Sequence, residues 1–513
     1  MNEFAALTPE QAFAQLIASN TNAWQEPYDP LPASNPDGYW TSSTAHPNVF
    51  TGQARKRRIV TSWWWYNAIT QNSLQQKLTF FLHTSFTISK DDGAGSSTHF
   101  FDHLRLLEQY AFGNIKSLAK KITFDNSMLN YLDNTQNNSN NPNENYAREF
   151  LELFTILKGP QIGSGDYTNY KEIDVQRAAQ VFTGIKTQAD RSIVDEDTKL
   201  PKGRIALNRH DTSDKQFSSA FDHTIITGGT TEEAVKEELD AFVEMIFDKE
   251  ATAVSFCKKL YRYFVKSEWD TEVEEQIIVP LAATLKSTNY EILPTLKRLL
   301  LSEHFFDESD ANTQDEIIGS IVKSPLQLLS ETLSFLAVEI PNPITDSTNF
   351  YSFFNFIHNS FLAAAGMNLW GPDSVAGYPA YYQEPDFDRH WFSSNTVLAR
   401  YKMIDCLLSG RNRIGNNGRI PVALDLPSFV KENMSDPYDA IALITELSDY
   451  LYPESISESR KRYFSENLLE GFPDYYWTTA WVKYESDGDE TVVKSRLNAL
   501  LSRMINAPEF QLM

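Results

Sequence analysis

Cysteine is nearly absent from this 513-residue sequence, in which only Cys257 and Cys406 occur, far apart and in apolar, helix-like surroundings. Two such residues form neither a disulfide framework nor a C-x-x-C motif, so two core thiols are favoured over a disulfide or a redox pair. Long apolar runs are absent too. No stretch reaches the length of about 18 residues that a membrane-spanning helix needs.

Positive charge is also scarce. The 45 Lys and Arg residues are outnumbered by 68 Asp and Glu residues, which gives a formal net charge of −23. A surface of this sign repels phosphate backbones and anionic lipids, so general nucleic-acid binding is disfavoured.

The short motifs of several enzyme classes are missing as well. The sequence contains no G-x-S-x-G, P-loop, G-x-G-x-x-G, H-E-x-x-H or cysteine-based zinc pattern. Serine-hydrolase, kinase and dinucleotide-binding functions therefore have no support from motifs.

What the sequence does contain is a long succession of helical patterns. Capping residues and 3.6-residue apolar periodicity recur along the chain. They are interrupted over residues 185–228 by short alternating segments that indicate loops with a small β-hairpin. We therefore predict an all-α fold and one large helical domain over residues 1–513. If this body has two lobes, we expect their boundary near residues 228–232.

The segment Asn145–Leu157 has the most unusual pattern. At 100° per residue, Asn145, Arg148, Glu149 and Glu152 fall within an arc of roughly 100°, and apolar residues cover most of the remaining surface. An ordinary surface helix has the opposite proportions. We therefore expect one helix whose charges lie inside the protein, where they must be paired, hydrogen-bonded or used.

Two sets of side chains could carry chemistry. Glu149 and Glu152, with Arg148, could act as acid and base, or the two glutamates could bind a divalent metal ion together with His83. The alternative is an Arg–Glu network that fixes helix packing. In the second set, His210 beside Asp211 could be a general base or a ligand, or the segment could be a turn whose Asp residues cap the backbone.

A third candidate is the Asn-rich loop from Asp133 to Asn145, whose oxygen atoms could hold calcium. It lacks the ligand spacing of an EF-hand, so we expect a solvated loop.

Several stretches resemble a bacterial family called domain of unknown function 1800. The sequence N-E-N-Y-A-R-E-F-L-E-L-F-T at Asn143–Thr155 is close to the family's N-E-N-Y-A-R-E-L-M-E-L-F-T, and K-L-T-F-F-L-H-T-S-F at Lys77–Phe86 resembles its K-M-x-x-F-W-H-N-H-F. Weaker likenesses at residues 182–184, 210–215, 370–379 and 507–511 extend the resemblance over nearly the whole chain. Ser85 stands where the family has its second histidine, which removes one candidate metal ligand.

The resemblance implies a protein that is exported to the periplasm or the cell surface and is often encoded beside a sulfatase-like protein. The first residues show no signal peptide. The family usually begins with a helix and an R-R-x-x-F-G segment before the equivalent of Leu7, which this sequence lacks, so we expect Met1 to be an internal start. Two functions are compatible with these observations. The first is a cell-envelope binding or scaffold protein that acts with a partner. The second is a metal-dependent or acid/base hydrolase that uses Arg148, Glu149, Glu152, His210 and Asp211. We favour the first, because no complete catalytic signature is present.

Overall fold

The structure is a computed structural model that describes residues 7–18, 27, 53–71, 73–307, 317–409, 413–414, 418–419 and 424–513. Met1, on which the expectation about the start of the chain rests, lies outside these ranges. Two compact units are present: Met1–Phe305 with Trp370–Tyr382, and Phe306–Leu369 with Gln383–Met513. Residues 228–232, where we expected a lobe boundary, lie within the first unit. Whether the chain folds as one domain stays a prediction.

The prediction of an all-α fold is confirmed. The first unit contains helices α1 (Pro9–Ala18), α2 (Gln53–Thr70), α3 (Leu74–His83), α4 (Ser97–Gln109), α5 (Ile115–Ile122), α6 (Asn126–Tyr131), α7 (Glu144–Glu149), α8 (Glu172–Val181), α9 (Glu232–Asp248), α10 (Glu250–Phe264), α11 (Thr271–Val273), α12 (Val279–Ser287) and α13 (Ile292–Leu300). Helix α14 (Glu303–Phe306) contains the division point between the units. Pi-helical turns follow α7 at Phe150–Phe154 and precede α12 at Glu274–Ile278.

The strands of the first unit are short and pair as antiparallel ladders. They are β1 (Gln161–Gly163) with β2 (Asp166–Tyr167), β3 (Ile185–Lys186) with β4 (Arg204–Ile205), and β5 (Lys215–Gln216) with β6 (Ile225–Ile226). The last two ladders lie in the region 185–228, where the loss of helical periodicity predicted loops with a small hairpin.

Helix starts in the first unit follow local capping chemistry. The side chains of Ser96, Asn114 and Asp125 accept hydrogen bonds from backbone N–H groups in the first turns of α4, α5 and α6. Each bond satisfies one of the N–H groups that a helix start leaves without a partner. These boundaries are readable from sequence because both partners lie within three residues of each other.

The second unit is also helical. It contains α15 (Pro325–Phe335), α16 (Ser347–Ile357) with a π-helical turn at His358–Leu362, α17 (Ser394–Ser409), α18 (Leu426–Asn433), α19 (Ala440–Leu451), α20 (Glu458–Leu469), α21 (Asp474–Asp487) and α22 (Thr491–Ile505), together with a β7 (Arg413–Ile414) and β8 (Gly418–Arg419) ladder. Its C-terminal segment is held by the buried Arg400, whose guanidinium donates to Gln511 Oε1 at 2.8 Å and to the Lys323 carbonyl at 2.8 Å. Within the described ranges, no helix is long and apolar enough to cross a membrane.

An aromatic cluster forms the core of the first unit around α7. Phe150 packs against Phe182 and Phe242 with ring centroids 5.3 and 5.7 Å apart, and Tyr146 packs against Phe182 at 4.8 Å. All four side chains are fully buried. The apolar side of the segment Asn145–Leu157 therefore faces the core, and this packing fixes the direction of its polar side.

Candidate functional site

The helix that carries the charged residues ends earlier than its sequence pattern predicts. Helix α7 stops at Glu149, and Phe150–Phe154 form a π-helical turn. Helix α10 supplies partners for the carbonyl groups there, since Ser255 Oγ donates to Thr155 O and Lys259 Nζ donates to Leu153 O. The expectation of one regular helix to Leu157 is wrong, because donors from a distant helix stabilise a wider turn at this point.

The charges of α7 form a network with residues that follow in the chain. Arg148 donates to both carboxylate oxygens of Glu172, at 2.6 and 3.1 Å, and to Glu144 at 3.0 Å; its guanidinium lies 3.7 Å from Glu152. The paired contact with Glu172 joins α7 to the first turn of α8. Hydrogen bonding to Arg148 lowers the pKa of Glu172.

The charged residues are partly buried and not enclosed in the interior, contrary to expectation. The Arg148 side chain is 33 % exposed and that of Glu152 is 12 % exposed; Glu149 is half-buried and Asn145 is exposed. The helical pattern identified the polar side correctly but not its depth. The aromatic core covers the opposite side of α7, so the polar side faces the start of α8, where water still reaches it.

Glu149 and Glu152 occupy different environments although they share one side of the segment. Glu152 accepts a hydrogen bond from Tyr170 Oη at 2.8 Å and forms an ion pair with Lys158 at 2.8 Å. In the described structure, Glu149 has neither a hydrogen bond nor an ion pair. Burial and the neighbouring charge of Glu152 raise the pKa of Glu149 to about 7. The pair therefore combines a fixed carboxylate with a carboxyl group that can gain or lose a proton near neutral pH.

His83 lies at the end of α3, in a different environment from the glutamates. Its ring is fully buried, Nε2 donates to the Ile88 carbonyl at 3.0 Å, and its nearest aromatic neighbours are Trp370 and His103, with ring centroids 4.6 and 6.1 Å away. Burial, reinforced by His103, lowers the pKa of His83 well below its ordinary value, so the ring is neutral. No contact in the described residues joins it to Glu149 or Glu152.

His210 belongs to a third and fully enclosed network. Its Nδ1 donates to the Thr183 carbonyl at 2.8 Å, and its Nε2 lies 2.9 Å from Glu238, which also pairs with Lys215 at 2.7 Å. The side chains of His210, Lys215 and Glu238 have no exposed surface. The Asp211 carboxylate accepts from Ser213 N at 2.9 Å, as expected for a residue that caps a turn.

The described structure thus brings Arg148, Glu149 and Glu152 together, and His210 with Asp211, but it does not place His83 with either set. Across the described ranges, no group of three or more His, Cys, Asp or Glu side chains is positioned to hold a metal ion. A ligand set of His83, Glu149 and Glu152 stays a prediction from sequence.

The sequence profile of the family described as "Protein of unknown function (DUF1800)" matches residues 1–512. The chain belongs to this family. No curated protein and no solved structure matches it. In this DUF1800 protein, the segment Asn143–Thr155 carries the strongest resemblance to the family. The same segment contains the π-helical turn and Glu149, whose pKa is raised to about 7.

The Asn-rich loop of this DUF1800 protein is largely exposed or half-buried, as expected for a solvated loop, but two of its asparagines are buried. Asn134 and Asn137 are buried, and Asn137 Nδ2 donates to the Ala179 carbonyl at 2.9 Å, near the end of α8. Asn137 Oδ1 accepts from Asn143 N at 2.9 Å, at the residue that caps α7. The amide groups therefore fasten α7 to α8.

Four residues that complete these networks were missed from sequence: Lys158, Tyr170, Glu172 and Glu238. For Glu238 a signal was present, since it lies on the apolar side of α9 with Val235, Leu239 and Phe242. An acidic residue at such a position requires a buried cation or donor. Nothing in the local sequence of the other three points to Arg148 or Glu152, which they meet across turns of irregular backbone.

Proposed function

We propose that this DUF1800 protein is a binding or scaffold protein of the bacterial cell envelope that acts through a protein partner. The observation that carries the proposal is an exposed apolar surface on helix α21 of the second unit. The separation of the predicted catalytic residues into different networks is consistent with it.

Helix α21 carries two exposed apolar residues on the side opposite its buried tryptophans, among polar residues such as Thr479 and Ser486. Trp477 and Trp481 are fully buried in the second unit, whereas Tyr475 is 71 % exposed and Val482 is 49 % exposed. Residues seven apart lie on one side of a helix, so Tyr475 and Val482 share a side, two turns apart. A surface helix normally has polar residues on its solvent side, and large apolar residues exposed there are of the kind that a partner covers.

Two more exposed aromatic residues lie close to α21. Phe472 stacks on Tyr476 with ring centroids 4.5 Å apart and is 47 % exposed. Tyr438, 39 % exposed, is held beside α21 because its carbonyl accepts a hydrogen bond from Thr478 at 3.0 Å. We call Phe472, Tyr475, Val482 and Tyr438 the α21 surface. Its content of tyrosine and phenylalanine is typical of the centre of a protein–protein interface.

The partner that we propose is the sulfatase-like protein often encoded beside members of this family. The test is co-expression of both proteins, followed by size-exclusion chromatography with light scattering. We expect a complex with the wild-type chain and, for the double variant Tyr475→Lys/Val482→Lys, affinity weaker by at least about 30-fold, because each change removes an apolar anchor and buries a charge.

The matched control is Leu398→Lys on α17 of the same unit, a different helix, where an apolar side chain is 68 % exposed. We expect this variant to bind normally. Failure of the wild-type chain to form a complex, or equal binding by the double variant, would contradict the proposal.

Export to the periplasm or the extracellular space is part of this proposal and rests on the family resemblance. Fractionation of cells that express the complete native gene tests it. We expect the protein outside the cytoplasm, and a purely cytoplasmic protein would contradict this part.

A second candidate, a metal-dependent or acid/base hydrolase, is favoured by one observation, the raised pKa of Glu149 beside the fixed carboxylate of Glu152. A screen with chromogenic esters, phosphates and glycosides, with and without a chelator, tests it. If the protein hydrolyses one of them, we expect a pH–rate profile with an inflection near the pKa of Glu149. Glu149→Gln should remove this inflection and Glu144→Gln should retain it. Absence of hydrolysis, or an unchanged profile in Glu149→Gln, would exclude this role for Glu149.

A further inference from the structure

A cleft of about 510 Å³ lies in the first unit, away from the residues discussed above. Its walls come from helices α5 and α9, from strand β4 and from the loop that precedes β4. Tyr110 and Phe124 contribute aromatic surface. The volume is in the range of clefts that hold small molecules.

On one wall of the cleft, the charged side chains are paired with side chains of opposite charge. Lys121 contacts Asp195 at 2.8 Å, Lys202 contacts the same carboxylate at 3.0 Å, and Lys120 contacts Asp240 at 2.9 Å. Burial opposes the ionisation of Asp195, but hydrogen bonds from Lys121, Thr198 and Lys202 outweigh it and hold the pKa of that carboxyl well below its usual range. These side chains form a rigid wall with its charges already matched.

The remaining charges of the cleft are not matched. Arg204 and Lys236 line it, as do the carboxylates of Glu196 and Glu232, and all four residues are exposed. Among the described residues, none of the four side chains forms a hydrogen bond or an ion pair.

The position of Arg204 is unfavourable for the free protein. Arg204 stands directly opposite Lys186 in the β3–β4 ladder, and like charges in such a pair destabilise a ladder. Burial, together with the charges of Arg209 and Arg204, lowers the pKa of Lys186. An anion bound beside Arg204 would offset this repulsion.

The backbone holds Arg204 in this place. A side chain at Gly203 would meet the Lys186 carbonyl oxygen at 2.7 Å and Leu129 at 2.6 Å, and Gly203 N donates to the Phe124 carbonyl at 2.7 Å. Strand β4 therefore lies tightly against the wall of the cleft, and Arg204 projects from a fixed point.

We propose that this cleft binds a small molecule that carries an oxyanion together with hydroxyl or ammonium donors. Arg204 and Lys236 hold the oxyanion, because a guanidinium and an ammonium are the donors that suit carboxylate and phosphate. Glu196 and Glu232 accept from the donors of the ligand. This site is independent of the α21 surface.

The test is isothermal titration of the full chain with four probes built on one hexose: glucose, glucuronate, glucose 6-phosphate and glucosamine 6-phosphate. We expect binding of at least one anionic probe and no binding of glucose at about 10 mM ligand. Glucuronate against glucose 6-phosphate distinguishes a carboxylate from a phosphate ligand, and glucosamine 6-phosphate shows whether an ammonium group adds affinity.

Arg204→Gln and Lys236→Gln should each weaken this binding by at least about tenfold, which corresponds to the loss of one charge-assisted hydrogen bond. The matched control is Arg209→Gln, which removes an exposed cation near Lys186 that does not line the cleft and should bind nearly as wild type. Thermal unfolding of each variant shows that it is folded. No binding of any anionic probe, or equal weakening by all three variants, would overturn the proposal.

Discussion

At the scale of single residues, the charged side chains of this protein fall into exposed, half-buried and enclosed groups, and their chemistry follows from that depth. Glu149 is half-buried beside Glu152, so its ionised form is disfavoured. Glu144 lies on the same helix but is 37 % exposed and paired with Arg148. The two residues therefore offer a matched comparison of the same chemical group at two depths.

We predict that Glu149→Gln stabilises the protein at high pH only. The pKa of Glu149 is about 7 in the folded chain, above its ordinary value of 4.5. The folded state therefore holds this proton more tightly, and stability falls as pH rises from the lower value to the higher. The glutamine variant lacks this loss. We compare the free energy of unfolding of this variant with that of wild type. The gain of the variant over wild type should be larger at about pH 8 than at about pH 4, by about 1–2 kcal/mol once solvent screening is allowed for.

Urea unfolding at the two pH values measures this difference, and Glu144→Gln serves as the control that should show no such gain. Equal effects of the Glu149 substitution at both pH values would show that the pKa of this carboxyl is not raised.

The enclosed group leads to a second prediction, for His210, Lys215 and Glu238. Glu238→Gln leaves the buried Lys215 with only the more distant carboxylate of Asp211, 3.8 Å away. Removing one partner of a buried ion pair typically destabilises a protein by about 3–5 kcal/mol. The double variant Glu238→Gln/Lys215→Met removes both charges and should recover part of that loss. Thermal unfolding of Glu238→Gln, Lys215→Met and the double variant measures the coupling energy between the two residues. If the losses in free energy of unfolding of the two single variants add up to that of the double variant, the pair is not coupled.

At the scale of elements, the segment Asn143–Thr155 shows what its sequence can and cannot predict. Its start is local, since Asn143 accepts from Asn145 N at 3.0 Å, and its apolar and polar sides follow from 3.6-residue periodicity. The π-helical turn and the depth of the charges depend on α8 and α10, whose residues lie far along the chain. The starts of α5 and α20 are local in the same way, since the side chains of Asn114 and Ser457 accept hydrogen bonds from backbone N–H groups three residues on.

We predict that Ser255→Ala loosens the π-helical turn without unfolding the first unit. The change removes a hydroxyl donor from the Thr155 carbonyl in a buried position, which should lower the free energy of unfolding by about 1–2 kcal/mol. Amide hydrogen exchange should become faster in residues 150–157 than elsewhere in the unit. Ser302→Ala is the control, since Ser302 caps only its own short turn. Unchanged exchange in residues 150–157 would show that α10 does not stabilise the turn.

At the scale of the whole molecule, the sequence predicted the fold class and the family better than it predicted the contacts of individual site residues. The all-α fold follows from helical patterns that recur along the chain, and membership of the DUF1800 family follows from several motifs that occur in order. The α21 surface was not predicted, because nothing in the sequence of a helix with aromatic residues on two sides says which side is exposed. Likewise, Arg204 and Lys236 line one cleft only through the tertiary structure.

The central claim is that the α21 surface binds a protein partner, and hydroxyl-radical footprinting of the chain with and without the sulfatase-like protein tests it most directly. We predict that oxidation of Tyr475 and Phe472 falls on complex formation, whereas Phe392, 42 % exposed in the same unit, is oxidised equally in both samples. Unchanged oxidation of Tyr475 and Phe472 in a mixture that forms a complex would contradict the claim.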